Sequence, residues 1–525
     1  MWHREIGHPA TCGARSQDHV SGVLRSFDYV VVGGGTAGCA LAARLSGHSD
    51  LSVLLLEAGP ADGPPSMAVP SKWPSLMRGE VDWGFTTAPQ AGLDGRVLPY
   101  PRGKVLGGSG AINALMNLRG HPAAVDAWNI AGWGYQDLLP YYRRSEHTEG
   151  LDPVYRGEEG PMRPSVPRTH HPAAESAFDA FRELGHPVSD DLNGARAEGV
   201  AWVELTVAGG VRQSAADAYL RPRLGRSGLT VLTGATARRL TFSGTRCTGV
   251  SYLHAGTDFH AEAGREVVLS AGAIGSPHLL MLSGVGPASE LRRHGIPVVQ
   301  DVPGVGANLS DHPLAAVGYA AGRDLPNGVN NHVEVLAALR SSPAVTRPDL
   351  HVFFMDTPVA AAGSHGGYGM RFSVLSPHSR GSVTLASGDP AVAPVIDPAF
   401  LTDERDMDRM LAGLRIARDV GMTEAMRPWR DREILPGASV TDPDELRAYL
   451  RGTVGTYFHT VGSCRLGDSP DAVTDTTLRV RGTEGLRVVD ASVIPALPDA
   501  NTNATVLAIA ERAAHLITGH LGTGE

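Results

Sequence analysis

The chain has 525 residues, of which 42% are hydrophobic and 19% charged, and its formal net charge is −9. That length exceeds what one hydrophobic core serves, so two structural domains are expected. The acidic balance, without any basic run, excludes nucleic acid as a partner; no apolar stretch is long enough to span a membrane.

Residues 1–26 hold His, Arg and polar residues but no apolar h-region, so they read as a disordered leader and not as a signal peptide. The first predicted strand is Phe27-Asp28-Tyr29-Val30-Val31-Val32. It runs into Gly33-Gly34-Gly35-Thr36-Ala37-Gly38, which fills the G-x-G-x-x-G pattern, and then into a run of good helix formers. A second strand ends at Glu57. Each part has a physical task in holding a dinucleotide. Gly33 permits the tight turn, Gly35 admits a pyrophosphate to the backbone, and Gly38 lets helix and strand pack closely. The helix start, at Thr36 and Ala37, presents free N–H groups to phosphate. Glu57, about 20 residues past the glycines, suits ribose hydroxyls and disfavours a 2′-phosphate, so NADP is unsuited. By itself this motif does not separate FAD from NAD.

After Glu57 some forty residues are rich in Gly and Pro, which reads as a surface excursion carrying Trp73 and Trp83. Helical spacing returns at 123–128 and 135–145, and again at 173–184 after a polar, Pro-rich crossing at 151–172. Strands are expected at 229–232, 237–242, 248–253 and 266–269, as a meander returning to the nucleotide sheet. Beyond residue 311 the pattern changes, with strands at 350–355 and 372–375 and helices at 404–418 and 444–451. The resulting division is a first domain made of 27–150, 211–310 and 456–525, and a substrate domain made of 151–210 and 311–455. The four cysteines, Cys12, Cys39, Cys247 and Cys464, lie far apart and form no C-x-x-C pair. Neither a metal site nor a disulfide framework is indicated, and reduced thiols in a cytoplasmic enzyme are expected.

Five blocks in order make the chain resemble the glucose–methanol–choline (GMC) oxidoreductase family. They are the nucleotide motif; Arg102-Gly103-Lys104-Val105-Leu106-Gly107-Gly108 continuing to Asn113; Gly272-Ala273-Ile274-Gly275-Ser276-Pro277 with Ser283-Gly284-Val285-Gly286-Pro287; Val302-Pro303-Gly304-Val305-Gly306 continuing to His312; and the run from His459 to Asn501. The resemblance implies an α/β fold, α+β overall, in which a Rossmann-like FAD-binding domain joins a substrate domain of antiparallel sheet and helices. It also decides for FAD over NAD. By match to the family, Arg102, Gly107, Gly108 and Asn113 belong to the flavin loop. Ala237 matches the adenine side, Asp490 and Ala491 the pyrophosphate and ribityl chain, and Thr502, with Thr505, the pyrimidine end of the ring. Some relatives hold FAD covalently through a His where this chain has Ile112, which has no nucleophile, so dissociable FAD is expected. His121 is out of register and reads as a surface residue.

The resemblance makes His459 the catalytic His. Imidazole can take an alcohol proton near neutral pH, and the alkoxide then gives hydride to flavin N5. Asn501 matches the second catalytic position and would donate its amide N–H to the alkoxide oxygen. The helix expected at 506–517, with an acid near its start, would aim its N-terminus at the flavin. His312 reads as structural. Ser463 and Leu466 stand where the family often has Thr and Met. Tyr457 stands where several oxidases of the family have valine, which points to a dehydrogenase passing electrons to a quinone or another carrier, mycofactocin among them, with oxygen kept as the alternative acceptor. The alternatives are a flavin-containing lyase of the same fold, of the hydroxynitrile lyase kind, and a binding module without chemistry. The alcohol stays open; the chain looks most like bacterial aryl- or furan-alcohol enzymes and choline-dehydrogenase-like members.

Overall fold

The computed structural model describes residues 26–358 and 365–519, so the expected leader, apart from Ser26, lies outside the described residues. Valines 30 to 32 are β-branched and buried on both faces, as suits a central parallel strand. The strand Phe27–Val32 pairs in parallel with Val53–Glu57 on one side and with the end of Thr257–Leu269 on the other; Val30 faces Leu54 and Val267. Leu229–Thr233 extends the parallel edge beside Val53–Glu57. Leu486–Val488 returns late in the chain to pair in parallel with Val267–Leu269.

Thr257–Leu269 belongs to two arrangements at once. Its first half pairs antiparallel with Arg246–His254, which pairs antiparallel with Ala235–Ser243; its second half lies in the parallel region. Sequence periodicity caught only the apolar 266–269 end, because the first half alternates with solvent on one side. The helices Thr36–Leu45 and Asn503–Thr518 pack against each other. Glu511 joins them: its fully buried carboxylate takes Arg44 Nε at 3.0 and 2.9 Å and the Tyr219 hydroxyl at 2.9 Å. This corrects the expectation for that helix. It starts at Asn503, its first turn holds no acid, and Glu511 serves packing instead.

A second sheet is antiparallel throughout, in the order Arg430–Leu435, Pro313–Ala321, Gly367–Val374, Leu350–Met355, Val335–Leu339 and Gly199–Trp202. The edge strand Gly199–Trp202 comes from the earlier segment of the chain. All six residues of Leu350–Met355 are buried, because both faces of the sheet are covered. Helices Pro172–Glu183 and Glu404–Met422 pack on it, and the opposite face carries Leu314, Ala316, Phe353, Met355 and Arg371 into a cavity. Gly455–Thr456 pairs with Pro313 and Leu314 before the chain crosses back to the first sheet. That crossing carries His459. The stretch after Glu57 is less superficial than its composition predicts. Trp73 is 7% exposed and its indole N–H donates to the Asn331 carbonyl at 2.8 Å, whereas Trp83 is 38% exposed. Among the described residues no helix is long and apolar enough to cross a membrane.

Candidate active site

A cavity of about 1100 Å³ runs between the two sheets. One end is walled by Gly33, Gly35, Thr36, Ala37 and Glu57; the other by His459, Asn501, Phe353 and Arg371.

At the first end the glycines do different jobs. Gly33 has φ +103°, and a Cβ there would stand 2.5 Å from the Ser270 carbonyl oxygen. On Gly38 a Cβ would stand 1.9 Å from the Gly33 carbonyl oxygen, so helix and turn could not close. Gly35 differs, because a Cβ there meets nothing nearer than 3.9 Å, which leaves space on the cavity side. Helix Thr36–Leu45 has no side-chain cap at its N-terminus, so its first amides are left for a ligand. The Thr36 hydroxyl donates to Asn503 Oδ1 at 2.8 Å and ties this helix start to that of the last helix. Glu57 accepts from the Gly34 and Gly59 amides at 2.8 and 2.7 Å, and burial pushes its carboxyl up to about 7.

Ala237, Arg102, Gly108, Asn113, Asp490, Ala491 and Thr502 also line the cavity. Several do so otherwise than the sequence suggests. Gly107 stands behind the wall, its N–H donating to the Gly34 carbonyl at 2.7 Å. Gly108 does face the cavity, but a Cβ on it would meet Gly35 Cα at 2.7 Å, so the neighbouring loop already demands glycine. Both Asp490 oxygens are engaged by protein donors, one by Gly272 N–H and the Ser276 hydroxyl, the other by Ser492. Asn113 Oδ1 accepts from Leu115 N–H at 3.0 Å and Arg212 Nη1 at 2.9 Å. Thr505 is not at the cavity; it is fully buried and bonds the Tyr142 hydroxyl at 2.8 Å. His121 is half-buried and caps helix Pro122–Asp126 through Nδ1, at 3.2 Å from Ala123 N.

At the second end, Asp311 holds the backbone of the crossing. Its Oδ1 accepts from His459 N–H at 2.8 Å, and its Oδ2 accepts from the Tyr100 hydroxyl at 2.7 Å and the Thr456 hydroxyl at 2.5 Å. The His459 ring then meets His312, whose Nδ1 lies 2.8 Å from His459 Nδ1. His312 Nε2 lies 2.8 Å from the Leu375 carbonyl oxygen. A carbonyl only accepts, so that Nε2 carries hydrogen. Burial lowers the His312 pKa to about 3, the ring is neutral, and its Nδ1 is a bare acceptor. His459 must therefore donate from Nδ1, which leaves its Nε2 with a lone pair. Burial, then His312, His351 and Arg102, hold the His459 pKa well below 6.5. Sequence assigned His312 a structural place; it is the ring partner of His459. Its position beside Asp311 in one block was the available signal.

Asn501 is 8% exposed and lines the same end, and its Oδ1 is occluded without a partner. Tyr457 is buried between them, its ring centroid 4.3 Å from that of His459 and its phenol beside the Asn501 side chain. Phe353 stacks on Tyr457 at 5.5 Å. Phe353 and Arg371 were not singled out in the sequence, where nothing but strand alternation marks them.

These features fit FAD. The open side of Gly35, the free amides of the first helix and the buried, unpartnered Nη2 of Arg102 are what a pyrophosphate-bearing cofactor would satisfy. Ile112, which lines the cavity, offers no atom for a covalent link.

Residues 27–314 match the model of the N-terminal domain of GMC oxidoreductases, and residues 377–510 match that of the C-terminal domain. The chain is 36% identical to human mitochondrial choline dehydrogenase, over 98% of this chain and 93% of the relative. It is 38% identical to the alcohol dehydrogenase [acceptor] of Pseudomonas putida, over 94% and 95%. The crystal structure of pyridoxine 4-oxidase from Mesorbium loti superposes with a TM-score of 0.91 at 35% identity, covering 94% of this chain and all of that one.

Proposed function

The chain belongs to the GMC oxidoreductase family, and from that premise we propose that His459 is its catalytic base and Asn501 the group that orients the alcohol oxygen. The protein is an FAD-dependent oxidoreductase acting on alcohols. FAD, when bound, supplies the acceptor for two electrons, and the chain supplies orientation and proton handling.

One observation carries the reading of His459. The bond from His459 Nδ1–H to a bare His312 Nδ1 leaves the lone pair of Nε2 on the ring edge that is not engaged by protein. An alcohol O–H presented there passes its proton to Nε2 as the carbon–hydrogen bond weakens. A ring buried enough to stay neutral well below pH 6.5 is ready to accept that proton at any physiological pH. Asn501 offers a carboxamide, which can hydrogen-bond the developing alkoxide without competing for its proton. Ile112 in place of a nucleophile supports non-covalent FAD.

Tyr457 supports a dehydrogenase. Its ring fills the space between His459 and Phe353, where a smaller side chain would leave room for oxygen. The electrons then pass to a quinone or to another carrier of the mycofactocin kind. The test is anaerobic mixing of the holoenzyme with a panel of alcohols while the visible band of oxidised flavin is followed. Bleaching of the band by an alcohol is the expected result. A band that stays oxidised while a hydroxynitrile is cleaved would overturn the reading in favour of a lyase.

A further inference from the structure

Arg371 lies on strand Gly367–Val374, in register with Ala316 on one neighbour and Phe353 on the other. Residues paired across antiparallel strands face the same side, and all three line the cavity. Its Nε is buried without a partner. Among the described residues its guanidinium makes no hydrogen bond, ion pair or cation–π contact. Arg371 is half-buried at the cavity wall, and the more deeply buried guanidiniums among the described residues find protein partners. Arg156 reaches Glu146, Asp191 and Glu204, and Arg487 reaches Glu266. Arg212 bonds Asn113 and the Met67 carbonyl. Burial lowers the Arg371 pKa to about 10, so the group is charged near neutral pH, and a charge drawn partly out of water without a counter-charge is destabilising.

The surroundings sharpen the contrast. Of the described residues lining the cavity, only Glu57 and Asp490 are acidic, and both belong to the nucleotide end. Glu57 is held by backbone amides and Asp490 by serines and Gly272. Among the described residues lining the substrate end none is acidic, and Arg371 is the guanidinium there that makes no hydrogen bond, whereas Arg96 bonds the Arg451 and Val454 carbonyls and Arg102 the Pro101 carbonyl. Tyr449, also at the wall, spends its hydroxyl on the Ala316 carbonyl at 2.6 Å. Between Arg371 and His459 stand Phe353 and Tyr457, stacked and apolar on their faces. Arg371 is close enough for its charge to act on the Tyr457 phenol, which touches the His459 ring.

We propose that Arg371 receives a carboxylate carried by the alcohol substrate, so that the enzyme acts on hydroxy acids whose alcohol end meets His459 and Asn501 and whose body lies against Phe353 and Tyr457. This rests on the alcohol-oxidising reading above and narrows it. A planar guanidinium accepts a carboxylate through two parallel hydrogen bonds, which gives both charge and direction. The same charge opposes a quaternary ammonium. The substrate of this chain therefore differs from choline, the compound for which several of its relatives are named.

The test compares 4-(hydroxymethyl)benzoate and 6-hydroxyhexanoate with their methyl esters and with choline, in anaerobic flavin reduction by the holoenzyme. At least one acid is expected to half-saturate at a concentration roughly 10- to 100-fold below its ester, the scale of a charge-assisted hydrogen bond. Arg371→Gln removes that gap by weakening the acid alone, Arg371→Lys keeps part of it, and choline stays the poorest donor. Benzoate, which cannot be oxidised, should perturb the flavin spectrum of the native enzyme and not of Arg371→Gln. Acids and esters that half-saturate alike, or a gap that persists in Arg371→Gln, would overturn the proposal. If no alcohol bleaches the flavin while benzoate binding still depends on Arg371, the alcohol reading fails and the anion site stands. If Arg371→Gln does not fold, the comparison of acid with ester in the native enzyme and in Arg371→Lys decides.

Discussion

Nδ1 of His312 lies 2.8 Å from Nδ1 of His459, with the two rings perpendicular. Only one of these nitrogens can hold the shared hydrogen, and the Leu375 carbonyl settles which by taking the other N–H of His312. His312 thereby sets both the tautomer and the angle of His459 without touching substrate. His312→Ala is expected to slow flavin reduction at saturating alcohol by about 10- to 100-fold, the cost of a misplaced reacting group, with little change in half-saturation. His312→Asn keeps an acceptor and should recover part of the rate. Equal rates in His312→Ala and the native enzyme would refute this positioning role.

Removing the proposed base and orienting group is expected to have a larger effect. His459→Ala should lower the rate of flavin reduction by about 10²- to 10⁴-fold, and Asn501→Ala by about 10²- to 10³-fold. Because the two act on one oxygen, the double variant should lose much less than the product of the single losses. FAD content, read from absorbance, should be unchanged in all three.

The buried imidazoles predict two pH effects. His459 is held neutral well below 6.5, so kcat/KM should stay level as pH falls through 6.5 and fall off only in more acidic solution. An acid limb at 6.5 would contradict this. Stability behaves differently, because the unfolded chain has ordinary imidazoles. His312 and His351 are lowered by burial to about 3 in the folded protein. Their unfolded forms bind protons first, so their contribution is complete above pH 6.5 and is lost as pH falls from there toward 3. At about pH 5 each should cost about 2 kcal/mol, read from urea midpoints, and His351→Leu should remove one such share.

The two loop glycines separate ligand binding from folding. Gly35→Ala places a methyl where no protein atom lies within 3.9 Å, so the apoprotein should melt normally while FAD binds more weakly. Gly38→Ala drives a methyl into the Gly33 carbonyl at 1.9 Å, and should lower the melting temperature by the equivalent of at least about 1–3 kcal/mol. Thermal melts with and without added FAD distinguish the two. Similar behaviour in both variants would mean that the open side of Gly35 is not where the cofactor sits.

Tyr457→Val should open the space beside His459. Reoxidation of the reduced enzyme by dissolved oxygen is expected to speed up, while transfer to a quinone analogue changes little. Rapid reoxidation of the native enzyme would instead make it an oxidase and remove the argument from Tyr457.

Much of the cofactor end was legible in the sequence. A β-branched run, a glycine turn and a row of helix formers are local features, and local sterics dictate their backbone. The second sheet was legible only in part. Leu350–Met355 was expected as found, but Gly199–Trp202, only four residues long, is too short to stand out before its partner Val335–Leu339 is in place. The block containing His459 marked the proposed base by its neighbours in the chain.

Sequence alone determined the order of blocks and the turn that Gly33 and Gly38 make possible, and it nominated the imidazole and carboxamide placed late in the chain. Tertiary structure alone decided that His312 bonds His459, that Thr505 turns to Tyr142 while Thr502 faces the cavity, and that Arg371 has no counter-ion among the described residues. Short-range sterics and periodicity are written along the chain. Whether a donor, acceptor or charge is satisfied depends on every group that folding brings within about 3–4 Å of it, and most of those groups lie far away in sequence.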